Sequence, residues 1–85
     1  MKQFEFVVQD KEGIHARPAG ILVNAIKGCP SKIEIENKGK KVDGKRLMAV
    51  MSLGVKCGET IIVTVDGDSE DADSETIATV LKENL

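Results

Sequence analysis

Lys11-Glu12-Gly13-Ile14-His15-Ala16-Arg17-Pro18-Ala19-Gly20 is the stretch where one periodicity gives way to another. Upstream, Lys2 to Val8 alternates, with Phe4, Phe6 and Val8 on one face and Gln3 and Glu5 on the other. That is the pattern of a half-buried strand. Asp10-Lys11-Glu12-Gly13 reads as a turn. Downstream, from Ala16 to Lys27, the apolar residues Ala19, Leu22, Val23 and Ile26 fall on one stripe of a helix. Pro18 is tolerated in the first turn, where its missing N–H costs no intrahelical bond. Gly28 and Pro30 stop the helix.

The rest of the chain follows in short elements. Lys32 to Glu36 alternates again, with Ile33 and Ile35 inward, and Asn37-Lys38-Gly39 turns into a short strand from Lys40 to Asp43. Arg46 to Leu53 reads as a short helix closed by Gly54. Thr60 to Val65 is the most β-prone run, and apolar residues on both its faces place it centrally in a sheet. A last helix starts near Glu70, with Ile77, Val80 and Leu81 as its buried stripe and carboxylates in the first turn, where the helix dipole favours them. The order β-α-β-β-α-β-α predicts an α+β fold: a two-layer open-faced sandwich with a four-stranded, mostly antiparallel sheet and three helices on one face. No repeat or linker interrupts it, so residues 1–85 are expected to form a single domain.

Composition narrows the function. The chain has 85 residues, no Trp or Tyr, and only two aromatics, Phe4 and Phe6, both in the first strand. That argues against a stacking surface for nucleic acid. From Asp66 to Leu85 there are seven carboxylates and one lysine, which read as a solvated helix face; the residues before them carry eleven bases and seven acids, a surface suited to an acidic partner. Cys29 and Cys57 have no paired spacing and are expected to be reduced thiols. One histidine and two scattered cysteines make no zinc set, so neither a metal nor a cofactor is expected. No signal core or membrane-length apolar run is present, and a cytoplasmic protein without membrane contact is expected.

His15 is the only histidine. At a helix start it stands beside the unpaired N–H groups of Ala16 and Arg17 and the positive end of the helix dipole. A phosphoryl group on the imidazole would meet those amides, and Arg17 adds a guanidinium fork suited to phosphate oxygens. A lone histidine at such a junction is more often a cap or a surface residue. The Ala16-Arg17-Pro18-Ala19 that follows favours chemistry, because it assembles an anion site. A hydrolase is disfavoured, since no serine, cysteine or carboxylate is placed by the sequence to complete a catalytic set with His15.

Gly13-Ile14-His15-Ala16-Arg17-Pro18-Ala19 resembles the phosphohistidine signature of HPr, the small phosphocarrier family of the bacterial sugar phosphotransferase system. Met48-Ala49-Val50-Met51-Ser52-Leu53-Gly54 is similar to that family's second signature, at matching separation, and the resemblance spans essentially the whole chain. It implies that enzyme I phosphorylates the δ nitrogen of His15, with Arg17 as phosphate partner, and that the group passes to sugar-specific IIA domains. It also implies a monomer, and a phosphotransfer component rather than a stand-alone enzyme. Leu47, Met48 and Met51 would form an apolar docking patch beside the site. The helix itself supports this: it has more apolar residues than one buried face can take, and methionines suit several partners.

The sequence departs from the resemblance at Arg46. Gram-positive HPr proteins carry a kinase-regulated serine there, and arginine has no hydroxyl to phosphorylate. With Lys45, Arg46 would instead aid docking to an acidic surface. The alternative function is a regulatory HPr-like binding module, holding a partner through the Met-rich helix with His15 only as a phosphorylation-state sensor, or a specialised paralogue lacking serine-kinase control, which the departure at Arg46 favours. Ser52, later in the same helix, is not taken as a substitute. Glu12 is a second departure, repulsive toward a phosphoryl group if it points inward. Gly20 is a third, weakening its helix by about 1 kcal/mol relative to Ala.

Overall fold

In the computed structural model, which describes residues 1–85, the alternating and helical periods become seven elements. They are β1 (Lys2–Val7), α1 (Ala16–Lys27), β2 (Lys32–Asn37), β3 (Lys40–Asp43), α2 (Leu47–Met51), β4 (Thr60–Asp66) and α3 (Glu70–Asn84). The strands lie in the order β1-β4-β2-β3, and every neighbouring pair is antiparallel. The expected "mostly antiparallel" sheet is thus wholly so. Inserting β4 between β1 and β2 makes those two strands run the same way without touching, with α1 as the crossover between them.

Register puts the alternation to use. Phe4 pairs with Val63 and Phe6 with Ile61, while Ile33 pairs with Val65 and Ile35 with Val63. Ile33, Ile35, Ile61, Val63 and Val65 are buried, under Leu22, Val23 and Ile26 of α1 and Ile77 and Leu81 of α3. The other sheet face presents Glu5, Glu34, Glu36, Ile62 and Thr64. As expected of a central strand, β4 keeps Ile62 half-buried and Thr64 buried on that outer face. Edge strand β3 is short and carries Lys40, Lys41 and Asp43, which discourages further strand pairing.

Three details differ from expectation. First, α2 is shorter than Arg46–Leu53. Leu53 N–H bonds to Val50 O and Gly54 N–H to Met51 O, both three residues back, so the last turn tightens and ends at Gly54, where φ is +61°. Second, Val80 is only half-buried at the rim of the core. Third, the acidic start of α3 is not all solvated. Asp73 is 7% exposed, and it accepts hydrogen bonds from Ser31 N–H, Ser31 Oγ and Ser69 Oγ. Those partners repay the burial of its charge and tie α3 to the start of β2.

Candidate functional site

His15 is the residue just before α1, with extended backbone (φ −110°), and its side chain makes no capping hydrogen bond. Its carbonyl begins the helical ladder by accepting from Ala19 N–H. The capping reading of His15 is therefore not the one the structure shows. The amides of Ala16 and Arg17 lie in the first turn, which has no intrahelical acceptor for them, and Pro18 has none to offer. Arg17 is exposed and enters no ion pair. An imidazole, two free amides and an uncommitted guanidinium thus meet at one helix end, and such a set can receive an anion.

The segment before His15 is built to hold it. Gly13 has φ +70°, a conformation that glycine adopts without penalty. Its N–H bonds to Asp10 O at 2.9 Å, and Ile14 N–H bonds to Val55 O at 3.0 Å. The Asp10 carboxylate accepts from Glu12 N–H at 2.9 Å. His15, Arg17, Asp10, Pro18, Ile21 and Asn84 line a shallow depression of about 140 Å³.

Two carboxylates stand beside the imidazole. Asp10 Oδ1 is 3.6 Å and Glu12 Oε2 3.4 Å from His15 Nε2. Glu12 does turn toward the histidine, at that one ring nitrogen. Ligand-type atoms of Asp10, Glu12 and His15 all lie within 4.8 Å of one another. Asp10 was invisible as a site residue in the sequence, because its approach depends on the curl at Gly13.

Around the site, α2 packs beside α1. Val50 anchors α2 in the core, and Met51 and Leu53 pack against it half-buried. Met48 is 76% exposed and Leu47 38%. Of the three expected docking residues, two are on the surface and Met51 is shared with the core. Ile21, exposed and one turn beyond Arg17, adds an apolar residue that the sequence did not single out. The signal was there: Ile21 falls outside the buried stripe of α1. Arg46 is exposed at the start of α2. Cys29 and Cys57 are both free; burial, with Asp73 nearby, pushes the Cys29 thiol up, so it is not a reactive group. No helix is long and apolar enough to cross a membrane.

Sheet order and helix placement match those of small histidine-containing phosphocarriers. HPr from Thermoanaerobacter tengcongensis is 32% identical, with 99% of this chain and 94% of that chain covered and a TM-score of 0.93. HPr from Bacillus anthracis is also 32% identical, covering 94% of this chain and 95% of that one, with a TM-score of 0.88. Crh, the catabolite repression protein of Bacillus subtilis, described as a swapped dimer, is 33% identical over 100% of this chain and 98% of its own, with a TM-score of 0.77. The family model for the "PTS HPr component phosphorylation site" matches residues 2–83. The chain belongs to that family, the HPr phosphocarriers of the phosphotransferase system.

Proposed function

We propose that this protein accepts a phosphoryl group on His15 from phosphorylated enzyme I and delivers it to the IIA domains of sugar permeases. The observation that carries this is the imidazole left free of capping at the start of α1, beside the open amides of Ala16 and Arg17. In the transfer, Arg17 grips the phosphate oxygens and the two amides add hydrogen bonds where charge is highest. Leu47, Met48 and the exposed part of Met51 form the apolar contact with donor and acceptor in turn, and Arg46 supplies positive charge at its edge. The protein is a carrier rather than an enzyme with its own product. It works in the cytoplasm as a monomer, which light scattering of the purified protein checks.

The deciding experiment is incubation with phosphoenolpyruvate and enzyme I, followed by detection of acid-labile phosphate. Wild type is labelled and His15→Ala is not; equal labelling of the variant overturns the proposal. Arg17→Ala folds normally, since the side chain is exposed, and transfers roughly ten- to a hundredfold more slowly, the loss of one charge-assisted contact. A second reading, a regulatory module, is favoured by the likeness to Crh. It would hold a partner through Met48 and its neighbours and use His15 only as a phosphorylation-state sensor, so a chain that binds partners but passes no phosphate on to a IIA domain would establish it.

A further inference from the structure

We propose that Asp10 and Glu12 are positioning residues that hold the proton of neutral His15 on Nε2 and so leave the lone pair on Nδ1. This rests on His15 being the phosphoryl acceptor. A lone pair on Nε2 would lie beside two anionic oxygens, at 3.6 and 3.4 Å, whereas an N–H bond there puts its positive end near both, an electrostatic preference that needs no hydrogen bond to either. The Nδ1 lone pair leaves the five-membered ring in another direction, away from the carboxylates. Repulsion between them and an incoming phosphoryl group is thereby reduced, and Glu12 need not oppose the reaction.

The arrangement is preorganised. Asp10 N–H donates to Leu85 O at 2.8 Å, its carbonyl accepts Gly13 N–H, and Oδ1 accepts Glu12 N–H while facing the imidazole. Glu12 is 74% exposed but sits three residues before His15, within reach. In the step itself, the Nδ1 lone pair forms the bond to phosphorus. The bond from phosphorus to the donor breaks, and its electron pair leaves with the donor. The ring keeps its Nε2 proton and becomes cationic, and the two carboxylates face that new charge. On delivery to the acceptor the electron pair returns to Nδ1.

The test reads the tautomer directly, by two-bond proton–nitrogen correlation spectra of uniformly ¹⁵N-labelled protein, with a chelator present, at a pH where imidazole is neutral. The wild type is expected to show a single form protonated at Nε2. In Asp10→Asn/Glu12→Gln, both charges are gone and an amide NH₂ can donate to an unprotonated Nε2. The form protonated at Nδ1 is expected to rise several-fold, and enzyme I labelling to slow with part of the phosphate on Nε2. Glu12→Gln alone, at an exposed side chain, secures a folded variant and is expected to show the same change at smaller size. An unchanged tautomer ratio in the folded variants overturns the inference while leaving the carrier function intact. Absence of any acid-labile phosphate on wild type overturns the carrier function instead, whatever the tautomer.

Discussion

Gly13 lies so close to Val55 that a Cβ on the glycine would sit 2.1 Å from the Val55 carbonyl oxygen. This contact, between residues separated in the sequence by α1, β2, β3 and α2, sets the curl that carries Asp10 and Glu12 to His15.

Gly13→Ala should therefore damage fold and site together. The positive φ alone costs a side chain about 1–2 kcal/mol, and backbone cannot yield cheaply to the clash. Denaturant unfolding should show a loss larger than that figure, and His15 labelling should slow in the folded fraction. Gly20 gives the opposite sign. Nothing lies within 4 Å of its would-be Cβ, and it sits inside α1. Gly20→Ala should stabilise by roughly 0.5–1 kcal/mol with labelling unchanged. A destabilised Gly20→Ala would mean that the glycine serves a partner or a motion.

Local pattern explains what the sequence revealed. Strand and helix periods are set by which side chains face the core, so α1 and its stripe of Ala19, Leu22, Val23 and Ile26 were legible, as were His15 and Arg17 at its start. Contacts made across the chain were not. Asp73 looked like one more solvated carboxylate until Ser31, in the loop before β2, closed over it. Asp10 looked like a turn residue until Val55 fixed the turn. Met51 and Met48 looked alike, because nothing in a five-residue helix says how far it rolls toward the core.

That roll separates the two methionines. Met48→Glu places a charge on exposed surface, so the melting temperature should hold while affinity for enzyme I and for a IIA domain both fall. Met51 packs partly against the core, and Met51→Glu should lower the melting temperature as well. Calorimetry for both effects, on the same preparations, checks this. Equal thermal stability of the two variants would place Met51 wholly in the docking surface.

Asp73 should make stability depend on pH at the acid end. The Ser31 hydroxyl bond, followed by Ser69 Oγ and Ser31 N–H, holds its carboxyl below the ordinary value against the opposing effect of burial. A carboxyl depressed in the folded state stabilises above its unfolded value, about 3.9, and that contribution fades as pH falls through the folded value. Urea midpoints measured from pH 6 downward should drop for wild type below about pH 4. Asp73→Asn should start lower at pH 6 and lose less on acidification. Parallel curves for the two proteins would show that Asp73 does not drive the acid transition.

Arg46 allows folding and docking to be pulled in opposite directions. It precedes α2 with no side-chain capping bond, and a guanidinium is the wrong charge for a helix start. Arg46→Ser supplies a capping oxygen and should stabilise by roughly 0.5–1 kcal/mol. By resemblance to Gram-positive HPr it should also create a target for the ATP-dependent serine kinase, to which the wild type should be inert. Mass spectrometry after kinase and ATP reads both, and a phosphate on wild-type Ser52 would show that the control point has moved. Arg46→Glu puts a favourable charge at the helix start and should hold or slightly raise stability. It should nonetheless slow transfer from enzyme I, because a permanent positive charge beside Leu47 and Met48 becomes negative. The slowing should be largest at low ionic strength and shrink near 0.1 M salt, where screening acts over about 10 Å. A rate unchanged at low salt would mean that Arg46 points away from the docked partner, and its place at the edge of the patch would have to be given up.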